Sequence, residues 1–532
     1  MPVFELIPVL IMIIRNITLL VALFVCNSIL IASPKIGIRS WQLHSLDMDY
    51  CKKVMDKAPD YDINTIVFSH EMIWNTMQLY GTSHRKTEKG GVGKKLQELT
   101  EYAQSKNLKV WIWTHELADV PDEYIKNGIV QMDTPGFWHW LEDRYIKMFI
   151  DFPQFDGLMM TFHETEFKIF DNTEVASKLS MPDRFSKLIG SIYKGCKKYK
   201  KDFIVRTFVY EPEELEWLKQ GLDKVSDEII VQSKCIPHDW QPFYPHNPLI
   251  GAFKNKRQII EFDGSSEYTG RNHIPYTSPE YFSFRWKYAM KSPEVVGYNV
   301  RLNHANFDAL FTPNEINIYT LSKITQNPEI TPDAIWSDWA KERYGVDSSR
   351  EIIDLLQPSF DIVNKLLFPQ GVWFTRHSWL PSFEYANSHI SYINKWYNGD
   401  YLDITEKLMN PDMETFSIVL GEKDEAVQLI QKSLWKLLSL QGKIDKKDYD
   451  DLQERYTLLL QTGLIWKSHI TAFMGLKLLK SHPELKPVVQ EAINNIKVLA
   501  SKIPDNQIGK PVADSDEILK ISKGFEELLN KK

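Results

Sequence analysis

Three short segments of this chain set a carboxylate just past an apolar run, among aromatic and turn residues. They are Gly157-Leu158-Met159-Met160-Thr161-Phe162-His163-Glu164-Thr165-Glu166, His238-Asp239-Trp240-Gln241-Pro242-Phe243, and Glu261-Phe262-Asp263-Gly264-Ser265-Ser266-Glu267-Tyr268-Thr269-Gly270. An acid in that setting is presented at the end of a strand rather than solvated on a helix face. The chemistry open to such a set is cleavage of a glycosidic bond with inversion. It needs a protonated carboxyl beside the leaving oxygen and a carboxylate base on the opposite face of the sugar, with room between them for water. Glu164 is the expected acid, because an apolar strand and the flanking His163 and Thr165 favour its neutral form. Glu166 is the rival, since the sequence does not show where the strand ends. Asp239 and Glu267 are the expected water-activating pair. Any one of these acids is as readily a helix cap or a loop ion-pair partner; the convergence of three on one face is what favours catalysis. Glu261 reads as a strand residue and Asp263 as part of the turn after it, both structural.

Arg206 and Lys234 close two further apolar runs. A cation there must be paired, either with carboxylates of the protein or with an anionic substrate. A bidentate Arg with a Lys suits the carboxylate of a uronic acid. His163, Trp240 and Tyr268, which adjoin the carboxylates, and Arg301 at a strand end complete the expected substrate-binding set. No His or Cys group has metal-ligand spacing and the catalytic groups are carboxylates, so neither a metal nor an organic cofactor is expected.

The elements that must position these residues repeat a rhythm of short strand, turn and amphipathic helix. The expected strands are 36–41, 65–69, 110–114, 157–162, 203–209, 229–233, 258–262 and 295–300, with helices such as 91–106, 185–200 and 279–291 between them. Eight such units predict a closed (β/α)8 barrel, an α/β fold, rather than an open sheet. Trp41, His70, His115, Glu164, Arg206, Lys234, Glu267 and Arg301 then fall at or just past strand C-termini, the face on which barrels build their sites. Beyond residue 314 the period is helical throughout. Helices are expected over 314–325, 332–344, 349–366, 424–441, 447–475 and 486–500. The expected organisation is a barrel over 34–314 and an all-α domain over 315–532. An insertion near 366–400 rich in Trp and Tyr would either wall the barrel mouth or pack between domains.

A chain of 532 residues with 43% hydrophobic and 25% charged residues has ample core for more than one unit and the balance of a soluble globular protein. Its formal charge of −7 argues against nucleic acid and leaves an oligosaccharide as the expected partner. Residues 1–33 hold two apolar runs split by Arg15 and Asn16 and end in small residues. They read as an export signal, with an uncleaved membrane anchor or lipidation at Cys26 as alternatives; a periplasmic or cell-surface protein is expected either way. Cys51, Cys196 and Cys235 are too few and too widely spaced for a disulfide framework, so free buried thiols are expected. The oligomeric state stays open, a homodimer included.

The segment Ile230-Val231-Gln232-Ser233-Lys234-Cys235-Ile236-Pro237-His238-Asp239-Trp240-Gln241-Pro242 resembles the base-bearing strand of the α-glucuronidases of glycoside hydrolase family 67. Glu261 through Gly270 is similar to that family's next strand, where a glutamate before Tyr-Thr-Gly is the second base. Arg206-Thr207-Phe208-Val209-Tyr210 resembles a strand whose Arg contacts substrate, Glu164 falls where the family has its acid, and Trp41 has a substrate-stacking counterpart. Residues 334–345 look like the start of the family's helical region. The resemblance spans roughly residues 36–345 and implies an inverting hydrolase releasing glucuronic or 4-O-methylglucuronic acid from plant or algal oligosaccharides. A glycosidase for a neutral or amino sugar, or a barrel that binds sugar without cleaving it, is the alternative. Two departures stand out. The family usually carries a β-rich domain before its barrel, and it has a Lys four residues before the acid where this chain has Met160, so one cation of the uronate clamp is missing.

Overall fold

The architecture is that of a computed structural model describing residues 36–84, 90–304, 307–373, 375–397, 399–503 and 514–531. The N-terminal apolar runs with Cys26, and Phe374, lie outside the described residues. Eight parallel strands close into a barrel: β1 (Ile38–Leu43), β2 (Thr65–Phe68), β3 (Lys109–His115), β4 (Gly157–Thr161), β5 (Asp202–Arg206), β6 (Ile230–Lys234), β7 (Gln258–Asp263) and β8 (Val295–Arg301). Each pairs with its neighbours in sequence, and β8 closes on β1 through Ser40 opposite Asn299 and Gln42 opposite Arg301. Gly297 makes that seam possible, because a Cβ there would stand 2.0 Å from the carbonyl oxygen of Ile38.

The barrel is filled, not hollow. Val67, Trp111, Trp113, Met159, Ile204, Ile230 and Ile259 pack together inside, with Ile38 and Val296 against them. Because side chains alternate along a strand, the inward positions nearer the carboxyl ends are two or four residues further on, and three and five on β8, where the register against β7 shifts by one between Val295 and Gly297. There they turn polar: Gln42, Arg206, Gln232, Lys234, Glu261, Asp263, Asn299 and Arg301. The apolar half of each strand therefore anchors the charges that its last residues carry.

Helices follow seven of the strands: α1 (Met48–Lys57), α2 (Gly93–Ser105), α3 (Phe137–Asp151), α4 (Met181–Lys198), α5 (Pro212–Leu222), α6 (Pro279–Ala289) and α7 (Glu315–Gln326). Caps fix their starts. Asp47 accepts from the backbone of Tyr50, Ser180 from that of Asp183 ahead of Pro182, and Glu211 with Glu214 forms a reciprocal box. Between β6 and β7 there is no helix; residues 235–257 run irregularly and carry Asp239. After α7 come α8 (Pro332–Tyr344), α9 (Ser349–Leu356), α10 (Ser359–Leu367), α11 (Phe383–Ile393), α12 (Asp400–Met409), α13 (Met413–Leu438), α14 (Lys446–Leu478), α15 (Lys486–Ala500) and α16 (Ser515–Lys531). The single helix expected over 349–366 is two, broken at Pro358, which has no N–H to continue the ladder. The aromatic stretch 366–400 is not all loop, since α11 lies inside it. Residues Ile38–Lys532 form one compact unit. Cys51, Cys196 and Cys235 are free and buried, and no helix among the described residues is long and apolar enough to cross a membrane.

Candidate active site

Glu164 stands three residues past β4 in a left-handed backbone conformation (φ 57°), its carbonyl held by the indole Nε1 of Trp74 at 3.0 Å. Such a φ is costly for any residue but glycine, and is kept where the surroundings impose it. Its side chain opens to the mouth, yet protein walls it in closely enough that burial pushes the carboxyl above its ordinary pKa. Arg206 and Lys234 pull the other way, whereas Asp239 and Glu267 add to the rise. Those four groups act on one carboxyl, so they share one electrostatic site. Glu166 is a brace instead, since its Oε2 accepts the backbone N–H of Asp119 at 2.9 Å and ties the β4 loop to the β3 loop.

Asp239, also left-handed (φ 42°), lies in the loop after β6. Lys234 Nζ is 3.3 Å from Oδ1 and His238 Nε2 is 3.4 Å from Oδ2, and the Tyr268 side chain hydrogen-bonds the same carboxylate. Burial alone would raise its pKa, but His238 and Lys234 together outweigh that and hold it below the ordinary range. Glu267 is buried, with Arg301 Nη1 2.7 Å from Oε2 and His377 Nδ1 2.9 Å from Oε1. The turn that delivers it is built by Asp263, whose carboxylate accepts the backbone N–H groups of Ser265 (2.9 Å) and Glu267 (3.0 Å). Burial pushes Asp263 itself up to about 6. Gly264 is needed in this turn because a Cβ would come within 2.8 Å of the Arg301 carbonyl oxygen.

The two cations expected to meet the substrate are both engaged by the protein. Arg206 forms a fork with Glu261, Nε to Oε2 at 2.6 Å and Nη2 to Oε1 at 3.0 Å, and Gln232 adds a third bond at 2.8 Å. Burial would raise Glu261, but Arg206 overrides it and keeps the carboxylate ionised. The guanidinium also lies over Trp113 and Phe208. Lys234, on Asp239, is flanked by the rings of Phe208 (4.4 Å) and Trp240 (4.5 Å), and burial lowers its pKa.

Of the remaining expected site residues, Trp240 lies over Lys234, Tyr268 beside Asp239 and Arg301 on Glu267. Trp41 and His163 do not reach the mouth. Trp41 is fully buried on the outward side of β1, tilted against Tyr61, while Ser40 and Gln42 on either side of it take the inward positions and bond Asn299. His163 is buried among Phe170, Phe208 and Tyr210, with Glu214 at 3.5 Å from Nε2. Burial drops its pKa to about 3, so it is neutral. For Trp41 strand parity turns the side chain out of the barrel; His163 lies two residues past the end of β4, on the parity of the inward Met159, and the loop rather than the strand carries it against Phe208 and Tyr210. Met160 is likewise fully buried, with its sulfur 3.6 Å from the Thr114 hydroxyl.

Three further groups lie at the mouth to which the sequence assigned no substrate contact, although it put His70 and His115 at strand ends and allowed 366–400 as a wall. His44, His70 and His115 cluster edge-to-face with Trp113 on the β1–β3 side. Burial first, then cationic neighbours, hold His44 and His70 below their ordinary pKa. The second group comes from the helical region. Trp373 meets Tyr268 edge-on at 4.8 Å, His377 stacks on Tyr268 at 5.2 Å, and Trp396 stacks on His238 at 4.7 Å. The segment 366–400 therefore walls the mouth, although Phe383 in it packs away on Phe473 and Phe525. Its wealth of Trp and Tyr was the available signal, but not which rings would face the site. The third is Arg271, just past Gly270. Among the described residues no cluster of three or more His, Cys, Asp or Glu is arranged to hold a metal.

Residues 192–296 match the glycosyl hydrolase family 67 middle domain. That span contains Arg206, Lys234, Asp239, Glu261 and Glu267, and it identifies the barrel as that of a glycoside hydrolase. No match was found among curated proteins. Similar solved structures include a mutant O-GlcNAc hydrolase of Thermobaculum terrenum, 12% identical with a TM-score of 0.46 over 94% of this chain and 95% of that one. A structure of CpGH84D is 13% identical with a TM-score of 0.44 over 93% and 75%. The family GH115 4-O-methyl-α-glucuronidase BtGH115A, described as specific for decorated arabinogalactans, is 12% identical with a TM-score of 0.45 over 87% and 61%.

Proposed function

We propose that this glycosidase hydrolyses an α-linked uronic acid from an oligosaccharide with inversion at the anomeric carbon. One observation carries the reading: two carboxyls in one electrostatic site are displaced in opposite directions, Glu164 upward and Asp239 downward. Opposed shifts in a shared site assign the acid and the base. Glu164, still protonated where Asp239 is ionised, gives its proton to the glycosidic oxygen as the C–O bond breaks. A water on the far face of the sugar attacks the anomeric carbon and loses its proton to Asp239. Lys234, His238 and Tyr268 hold that carboxylate ionised and oriented, and Glu267, fixed between Arg301 and His377, holds the water.

The uronic acid rests on the family match together with the basic groups gathered at the mouth. A glycosidase for a neutral sugar is the second reading, favoured by Arg206 and Lys234 each already holding a carboxylate of the protein. Export through the N-terminal apolar segment belongs to the same proposal and suits an enzyme of extracellular polysaccharide. The test is NMR of a digest of 4-O-methylglucuronoxylan fragments. The β-anomer of the uronic acid should appear first and mutarotate afterwards. Release of the α-anomer first, or full turnover by D239N, overturns the mechanism; release of neutral sugar alone overturns the substrate.

A further inference from the structure

The cations of the mouth fall into two kinds. Arg206, Lys234 and Arg301 each sit on a carboxylate of the protein, Glu261, Asp239 and Glu267 respectively. Arg271 does not. Its Nε is buried without a hydrogen-bond partner, and among the described residues no carboxylate comes within ion-pair distance of its guanidinium. What it does touch is the face of Trp379, 5.6 Å away. Yet it lies in the same field as the catalytic groups: Glu267, Tyr268, Arg301 and Glu71 all act on its charge, and burial lowers its pKa. Removing a cation from water beside a second cation, without an anion to meet it, is unfavourable, and such a group is kept where a ligand supplies the missing charge.

The backbone around it is built to hold it there. Arg271 and Asn272 are consecutive left-handed residues (φ 50° and 60°) following Gly270. The Arg271 N–H returns to the carbonyl of Ser266 at 2.6 Å. Asn272 Nδ2 bonds the Gly264 carbonyl at 3.1 Å, its Oδ1 takes a bond from Asn314 at 2.9 Å, and its carbonyl takes one from Arg455. The turn is thus pinned to β7, to α7 and to α14, while the side chain it presents is left with no partner but an indole. Stacking on an indole occupies the face of a guanidinium and leaves its in-plane N–H groups for a planar acceptor, which a carboxylate matches with two parallel bonds.

We infer that Arg271, backed by Trp379, is the subsite that binds the carboxylate of the sugar and sets the preference for a uronic acid. This rests on the uronosidase reading above and supplies the cation that Met160 cannot. The test measures kcat and KM for wild type, R271M and R271K on an aldobiouronic acid and on the same disaccharide with its carboxyl reduced to CH2OH. R271M should lose ten- to a hundredfold in kcat/KM on the acid, mostly through KM, and change less than threefold on the reduced sugar. R271K, which keeps charge without the fork or the stack, should fall between. Equal losses on both sugars, or no loss on the acid, overturn the inference. Isothermal titration with free glucuronate and with glucose separates it from the parent reading. Wild type that binds glucuronate through Arg271 without cleaving uronosides sinks the reaction and keeps the subsite; no preference for glucuronate over glucose sinks the subsite.

Discussion

At the scale of single residues, the reaction demands that Glu164 keep its proton while Asp239 has lost its own. Activity should therefore rise as pH passes the depressed pKa of Asp239 and fall as it passes the elevated pKa of Glu164, giving a bell in kcat/KM. Lys234 lowers both carboxyls, by its charge on Asp239 and on Glu164. K234M, which keeps the apolar stem between Phe208 and Trp240, should consequently move both limbs of the bell toward higher pH. A limb that stays in place would remove the corresponding carboxyl from its role. The two adjacent glutamates separate as cleanly. E164Q should lose at least a thousandfold in kcat on unactivated substrates. E166Q, whose carbonyl oxygen can still accept the Asp119 N–H, should keep activity within about tenfold.

At the scale of elements, strand ends and one loop from the helical region share the work. The loop around His377 is tied down by Ser378, whose hydroxyl bonds the Glu267 carbonyl at 2.6 Å and takes the Gly270 N–H at 2.9 Å. His377 both contacts Glu267 and lowers Asp239. H377A should thus lower kcat and shift the acidic limb upward without shifting the alkaline one, a signature that mere loosening of the fold would not give. Arg206 gives the opposite lesson. R206A leaves Glu261 buried without its partner, which costs about 3–5 kcal/mol in urea unfolding, whereas R206M/E261L, a pair of similar volume, should recover most of it. Loss of activity in R206A is then a matter of folding and of a raised Glu164 carboxyl, which Arg206 otherwise lowers, not of lost contact with a sugar. All eight strands were legible because each is a short apolar run bounded by turns. That Glu164, Asp239 and Glu267 lie past strand carboxyl ends was legible because they follow those runs within three to five residues. What the sequence hid was local direction: Trp41 sits in the right place along the chain and on the outward side of β1, while His163 lies past the end of β4 where the loop turns it toward Glu214. Equally hidden were contacts more than a hundred residues apart, such as Ser378 on Glu267, which no local pattern encodes.

At the scale of the whole molecule, the barrel's mouth and the helices that follow it are held by hydrogen bonds that neither could replace alone. Gln241 beside the catalytic loop bonds the Gly371 carbonyl at 2.7 Å and also the Tyr397 hydroxyl. Thr277 bonds Ser359 at 3.0 Å through its N–H, and Arg455 of α14 bonds the Asn272 carbonyl. Aromatic faces of Tyr268, His238 and Tyr244 on the barrel side are covered by Trp373, Trp396 and Tyr397. A chain ended after residue 314 would expose those rings and leave buried donors and acceptors unpaired, each costing about 1–3 kcal/mol, against a total stability of only about 5–15 kcal/mol. Such a barrel should fail to fold alone, showing weak near-UV circular dichroism and no cooperative thermal transition. Adding residues 315–531 as a separate chain should not restore activity unless both are refolded together, because the surfaces that would dock form only as each side orders. A truncated barrel that melts cooperatively and still binds glucuronate would show that the wall from the helical region refines the site instead of completing it, and would leave Arg271 and the three carboxylates to act without Trp379 and His377.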